Sequence, residues 1–353
     1  MTAAPRARVQ RRPVHGVLLL DKPLGPSSNQ ALQKVKWLLR AEKAGHTGTL
    51  DPLASGVLPM CFGAATKFSQ LHLDADKTYE TVVRLGVTTS TADAEGQVLS
   101  RQEINCTPGQ VVEVLDRFTG PIRQVPPMHS ALKKDGKALY EYARLGQDVE
   151  RQARDVVIHE LDLLEMQLSA DEPFLRLRVY CSKGTYIRTL GEDIGQALGC
   201  GGHLTMLRRI ATGPFKVAQC LSLAQLEAMD EQARLAALRP IDCLLAGHTA
   251  VTLDPDNAGR FLSGMRRRGQ WPDAPQVAVF APSPAGGGLG WGQTGVQSQT
   301  QMPPSQPPPM GGSGVLLGTG HVKAGELIPG RLLSPLEIQQ ILETEPHAQA
   351  SVA

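Results

Sequence analysis

The chain's 353 residues are 41% hydrophobic, 20% charged and 4% aromatic, which fits a globular protein of two or three domains with a sizeable core. A net charge of +2 excludes a uniformly basic surface, so any nucleic-acid face must be a local concentration of Lys and Arg. No apolar run reaches membrane-spanning length. Six scattered cysteines with no C-x-x-C, and Cys200 with His203 as a lone C-x-x-H, predict reduced thiols in a cytoplasmic protein with no metal site.

In chain order, Arg6, Arg8, Arg11 and Arg12 make residues 1–13 a basic arm, expected to be disordered and, without an adjoining apolar h-region, not a signal peptide. Residues 15–20 read as a short strand that runs into a turn at 21–26. Ser27 with Gln30 forms a capping box. Leu32, Val35 and Leu39 follow as one helical stripe, with Lys36, Arg40 and Lys43 on another face as candidate phosphate contacts. The run 45–58 comes next, with three glycines in its first twelve positions, so its backbone turns tightly or is closely approached. Pro52 biases Asp51 away from the helical region. An acid is thus pinned on an irregular loop beside His46 and three small hydroxylated residues. Taken by itself, Asp51 reads first as a cap and second as a chemical group.

Residues 79–86 predict a strand, 88–96 a polar loop and 111–118 a helix. The stretch 121–155 carries Arg123, Lys133, Lys134, Lys137 and Arg144 against Asp135 and Glu141, with few apolar anchors. It reads as a mobile basic arm or a solvated loop. Leu175, Leu177 and Val179 alternate with Arg176, Arg178 and Tyr180, as in a strand with one buried face. Lys183, Tyr186 and Arg188 cluster where this strand gives way to a helix bearing Ile187, Leu190, Ile194 and Leu198 and ending at Gly199. A further amphipathic helix is expected over 221–238. From about 249 the character turns to strands, at 251–253, 276–280 and 314–318. Between the last two, 25 of the 33 residues 282–314 are Gly, Pro, Ser or Gln and none is charged, which predicts a disordered insertion.

Asp21-Lys22-Pro23, the run 45–58, Lys77-Thr78-Tyr79, Ser130-Ala131-Leu132-Lys133, Lys183 to Leu190 and Leu207-Arg208-Arg209, in this order, closely resemble the bacterial tRNA pseudouridine-55 synthase family. The resemblance runs from about 16 to 245. The β-rich stretch 249–345, with its insertion, resembles a PUA-type RNA-binding domain.

The resemblance implies an α+β catalytic domain over 14–248, built on a mixed, largely antiparallel sheet. It implies an isomerase that converts uridine 55 in the T-loop of tRNA to pseudouridine without cofactor or metal. The enzyme would act as a monomer and also assist tRNA folding. It assigns Asp51 as nucleophile, Arg188 as its ion-pair partner, and Tyr79 as the residue stacked on the base and a candidate acceptor of the C5 proton. His46, Tyr79, Tyr186 and Leu207 would contact substrate. The chemistry asks for these types independently, since a nucleophilic carboxylate must be ionised and aimed, and an Arg pair is expected to depress its pKa and fix its geometry. Lys36, the 121–155 arm and Arg208-Arg209 would then clamp the RNA backbone, while Lys22 supports the loop. A binding-only chaperone is the main rival. A phosphate-binding NTPase fails because no Gly-Lys-Ser/Thr follows the glycines.

Overall fold

The computed structural model describes residues 10–169, 171–282 and 314–344. Eight strands form the spine of a ten-stranded sheet: β1 (Gly16–Lys22), β2 (Ala54–Phe62), β3 (Lys77–Leu85), β4 (Gly120–Gln124), β5 (Arg154–Gln167), β6 (Phe174–Cys181), β7 (Gly202–Thr212) and β8 (Leu221–Ser222). Their order is β8-β1-β2-β7-β3-β6-β5-β4, with Ala44–His46 paired to β2 and Phe215–Lys216 paired to β7. Only β1·β8 and β2·β7 run parallel. The fold is therefore α+β on a largely antiparallel sheet.

The residue pattern explains the layers. β6 alternates as its sequence predicts: Leu175, Leu177 and Val179 are fully buried, while Arg176 and Arg178 pair with Glu80 at 3.0 and 3.6 Å on the opposite face. β1 has no such alternation because both of its faces are covered. Leu18 and Leu20 enter the core under helix α1 (Ser28–Leu38), and Val17 and Leu19 enter a second apolar cluster behind the sheet. That rear cluster continues through Ile241 and Leu244 into a five-stranded C-terminal sheet, where it takes in Val279 and Leu317, and reaches Ile338 of the helix Pro335–Thr344. Lys67 also reaches Glu337 across this junction, at 2.6 Å.

Several expectations need correction. Residues 10–13 of the basic arm are anchored: Arg12 N–H donates to Arg40 O, Arg12 O accepts from Glu42, and its guanidinium meets Glu231 at 2.7 Å. Residues 1–9 lie outside the described part. Thr88 and Thr89 belong to a hairpin, Val87–Thr89 with Val98–Arg101, whose connection 90–97 is folded so that Asp93 bridges to Leu204. Both ends of the 121–155 stretch belong to the sheet, as β4 and the start of β5, so only 125–153 leaves it. The helix expected over 221–238 is two helices, Leu223–Ala228 and Glu231–Ala236, because the Asp230 carboxylate caps the second by accepting from Ala233 N–H. At the insertion, Pro282 and Gly314 pair directly in a ladder, and the expected disorder of 283–313 lies outside the described residues.

Candidate active site

The loop 47–53 is fastened at its rim and empties its centre toward one cavity. Ser28 Oγ both donates to Leu50 O and accepts from Leu50 N–H, each at 2.8 Å. Lys22, with no exposed surface, donates Nζ to Ala54 O at 2.7 Å and to Pro23 O at 2.9 Å. Burial lowers its pKa to about 8, against the pull of the nearby Asp51 charge. Arg209 donates Nη2 to Gly48 O at 3.1 Å and Nε to Val57 O at 2.8 Å. Two glycines make this approach feasible. Gly48 has φ +80°, and a Cβ on Gly56 (φ +103°) would stand 2.1 Å from Arg209 O.

With the backbone held, the Asp51 side chain is free of capping duty. Its Oδ2 meets Arg188 Nη2 at 2.9 Å and 38% of the side-chain surface stays open. Arg188, 6% exposed, comes from the first turn of helix α2 (Ile187–Ala197). It also faces Asp93 Oδ2 at 3.5 Å and donates to His129 O at 2.7 Å and Thr91 O at 3.3 Å. Gln124 positions the start of that helix, accepting from Tyr186 N–H at 3.0 Å and donating to Tyr186 O at 3.3 Å.

The net effect on Asp51 is opposite to the expected depression. Burial raises its pKa above the ordinary value, Arg188 pulls it back, and the neighbouring Asp93 pushes it up again. Desolvation therefore outweighs the pairing, and the one guanidinium is also shared with a second carboxylate.

The cavity in front of Asp51 measures about 690 Å³. Asp51, Tyr79, Tyr186, Arg188 and Leu207 all line it, so five of the six residues singled out in the sequence converge. Tyr79 comes from β3 and is 8% exposed, and Leu207 from β7 is 7% exposed. Burial raises the phenol pKa of both tyrosines, so both are neutral donors at physiological pH. His46 is the exception: it sits on Ala44–His46, outside the lining, paired with Met60. Burial lowers its pKa, and its enclosed Nδ1 has no hydrogen-bond partner among the described residues.

The proposed backbone clamps are also corrected in part. Arg209 is 1% exposed, and Arg208 grips Asp21 bidentately at 2.7 and 3.1 Å, so neither offers a free guanidinium to phosphate. Arg40 lies 3.6 Å from Glu231. Sequence reasoning missed Asp93, Gln124 and the depth of Lys77 and Arg209. An acid in a polar loop looks solvated until the hairpin that buries it is seen, whereas Lys77 and Arg209 were visible within their motifs but not their burial. Among the described residues no cluster of three or more His, Cys, Asp or Glu could hold a metal ion, and no helix is long and apolar enough to cross a membrane.

Comparison with known proteins adds the following. Residues 36–187 match the model of the N-terminal domain of TruB family pseudouridylate synthases, and 188–246 match the tRNA pseudouridylate synthase B C-terminal domain. A protein of Verminephrobacter eiseniae named tRNA pseudouridine synthase B is 58% identical over 352 residues, 99% of this chain and 98% of that one. One of the same name from Ralstonia pickettii is 62% identical over 272 residues, 76% of this chain and 86% of that one. Among solved structures, a chain of an H/ACA RNP bound to a substrate RNA containing 2′-deoxyuridine is similar, with TM-score 0.55 and 26% identity over 76% of this chain and 74% of that one. A chain of a Cbf5-Nop10-Gar1 complex shares the fold, with TM-score 0.58 and 24% identity over 94% of this chain and 82% of that one.

Proposed function

The chain belongs to the TruB family of pseudouridylate synthases, which are isomerases, and from that membership we propose that it converts uridine 55 in the T-loop of tRNA to pseudouridine with Asp51 as nucleophile. The observation that carries the reading is the Asp51–Arg188 pair, 2.9 Å apart, with the carboxylate open to a cavity of about 690 Å³.

A uridine in a folded loop must leave its stack to reach such a cavity, at a cost of a few kcal/mol. Tyr79 offers a ring face for the extruded base, and Tyr186 and Leu207 close around it. Asp51, held by Arg188, attacks as a carboxylate. The N1–C1′ bond breaks as the carboxylate takes C1′, the base turns within the enclosure, C5 bonds to C1′ and displaces the Asp51 carboxylate, the C5 proton leaves and N1 gains one. No atom is added or lost, which is why an enclosed site suffices. Exposed cations on 125–153, chiefly Lys133, hold the T-arm backbone through its phosphates. The five-stranded C-terminal sheet is a second RNA contact of PUA type. The same grip on the T-arm assists tRNA folding.

The test is mass spectrometry of a T-arm hairpin carrying 5-fluorouridine at the target. A covalent adduct or rearranged product is expected with the parent and neither with Asp51→Asn. RNA binding without either species in the parent would leave only a folding chaperone.

A further inference from the structure

Of the three arginines that line the cavity, Arg154 is exposed, while Arg188 and Arg209 are buried and their partners differ in kind. Arg188 faces two carboxylates, Asp51 and Asp93. Arg209 is the bulkiest of the fully buried side chains, at 1% exposure, and among the described residues no carboxylate lies within ion-pair distance of it. Its hydrogen bonds go to the neutral carbonyls of Val57 and Gly48, and it lies directly opposite Tyr79 in the ladder of β7 with β3. A buried cation without a counter-anion is costly, and a fold that keeps one needs a reason.

The sheet register fixes where this charge sits. On β7, Arg209 pairs with Gly56 of β2 on one side and with Tyr79 of β3 on the other. A bulge between Arg209 and Ala211 turns the strand at this point. Lys77, two residues before Tyr79, is 9% exposed and gives its ammonium hydrogens to Leu73 O at 2.7 Å and Ala75 O at 2.5 Å. It lines the same cavity, and burial, with Arg209's charge next, lowers its pKa to about 8. Arg209 and Lys77 thus bring two buried cations to the cavity with their hydrogen bonds spent on neutral oxygens, while Asp51 and Asp93 both face Arg188.

We propose that Arg209 is the standing counter-charge for the uracil ring while it is detached, a positioning residue that acts through Tyr79 and the Gly48 turn. The inference rests on the isomerase reading above. When N1–C1′ breaks, the bonding pair stays with N1 and spreads to O2 and O4, so the free base is an anion. Its charge is discharged when C5 bonds to C1′, and loss of the C5 proton with protonation of N1 completes the isomer. A cation already oriented in dry surroundings stabilises such a transient charge without reorganisation. Arg188 cannot fill this role, because its charge is divided between two carboxylates.

The experiment compares uridine with 5-fluorouridine at the target position of a T-arm hairpin, in single turnover at saturating full-length enzyme. Fluorine withdraws electrons and stabilises the same ring anion from within. Arg209→Gln removes the charge and should slow consumption of uridine roughly a hundredfold, but that of 5-fluorouridine less than about tenfold. Arg209→Lys keeps the charge but loses the fork to Gly48 and Val57, so its loss on uridine should be smaller than that of Arg209→Gln. A merely structural role would slow both substrates by one factor, and that result overturns the proposal. Should circular dichroism show that Arg209→Gln does not fold, Arg209→Lys with Tyr79→Phe carries the test as a double-mutant cycle on uridine. Less-than-additive losses are expected there, and additive losses overturn the proposal. Turnover by Asp51→Asn would remove the nucleophile assignment instead. An inactive Asp51→Asn with an Arg209→Gln defect equal on both substrates would sink only the present inference.

Discussion

The loop that carries Asp51 and the excursion 125–153 border the same cavity, and they are held there by different means. The loop is tied to buried side chains from three separate elements: Ser28 of α1, Lys22 of β1 and Arg209 of β7. The excursion springs from the sheet edge between β4 and β5 and is fastened mainly to itself. Tyr142 Oη donates to Lys134 O at 3.2 Å, Lys134 Nζ donates to Glu150 O at 3.0 Å, and Lys137 sits over the Tyr142 ring at 4.7 Å. The contrast follows the two tasks. Aiming a carboxylate at one carbon needs a frame with few soft torsions, whereas gripping a polyanion needs solvated charge that can adapt.

The sharpest way to break this contrast is on the rigid wall. Asp51→Asn keeps size and much of the hydrogen bonding but removes the nucleophilic charge. It should abolish pseudouridine formation, measured by mass spectrometry of product RNA, while tRNA affinity stays within about an order of magnitude, since the phosphates dominate binding. Turnover by this variant would transfer the chemistry elsewhere.

Next in size is the frame itself. Gly56→Ala drives a Cβ to 2.1 Å from Arg209 O at a φ of +103°. We expect a loss of about 3 kcal/mol in denaturant unfolding, from the unfavourable backbone region plus overpacking. A neutral result would mean that β2 and β7 can part more easily than their register implies.

Arg188→Lys tests the aim directly. Charge is kept but the fork is lost, so a roughly hundredfold slower single turnover is expected, with the double variant no worse than Asp51→Asn alone. The pH dependence gives the sign. Burial already raises the Asp51 pKa and Arg188 opposes the rise. Weakening that opposition raises it further. Activity should therefore fall off at a higher pH than in the parent as the solution is acidified. A limb shifted to lower pH would contradict the pairing.

The smallest effect on chemistry belongs to the excursion. Reversing charge at Lys133, Lys134 and Lys137 should weaken tRNA binding and flatten its salt slope by about one for each phosphate left unneutralised, with chemistry at saturating RNA changed less than about threefold. An unchanged slope in filter-binding titrations would make 125–153 a solvated loop and nothing more.

The sequence by itself determined the strands with alternating or continuous apolar runs, the Ser27 capping box, and the identity of five residues that meet in the cavity. The first two are local facts, a period of two and a cap three residues from its partner, while the five residues follow from short motifs that resemble a family's. Tertiary structure decided the rest, because the rest depends on distance in space. Asp93 becomes a second partner of Arg188 only when the 87–101 hairpin folds against β7. The pKa of Asp51 rises because burial desolvates the carboxylate, with Asp93 adding to the rise and Arg188 opposing it, which no spacing in the chain reveals. Arg208 and Arg209 look alike in sequence, but successive residues of a strand face opposite ways. One therefore meets Asp21 at a half-open edge, while the other is buried beside Tyr79.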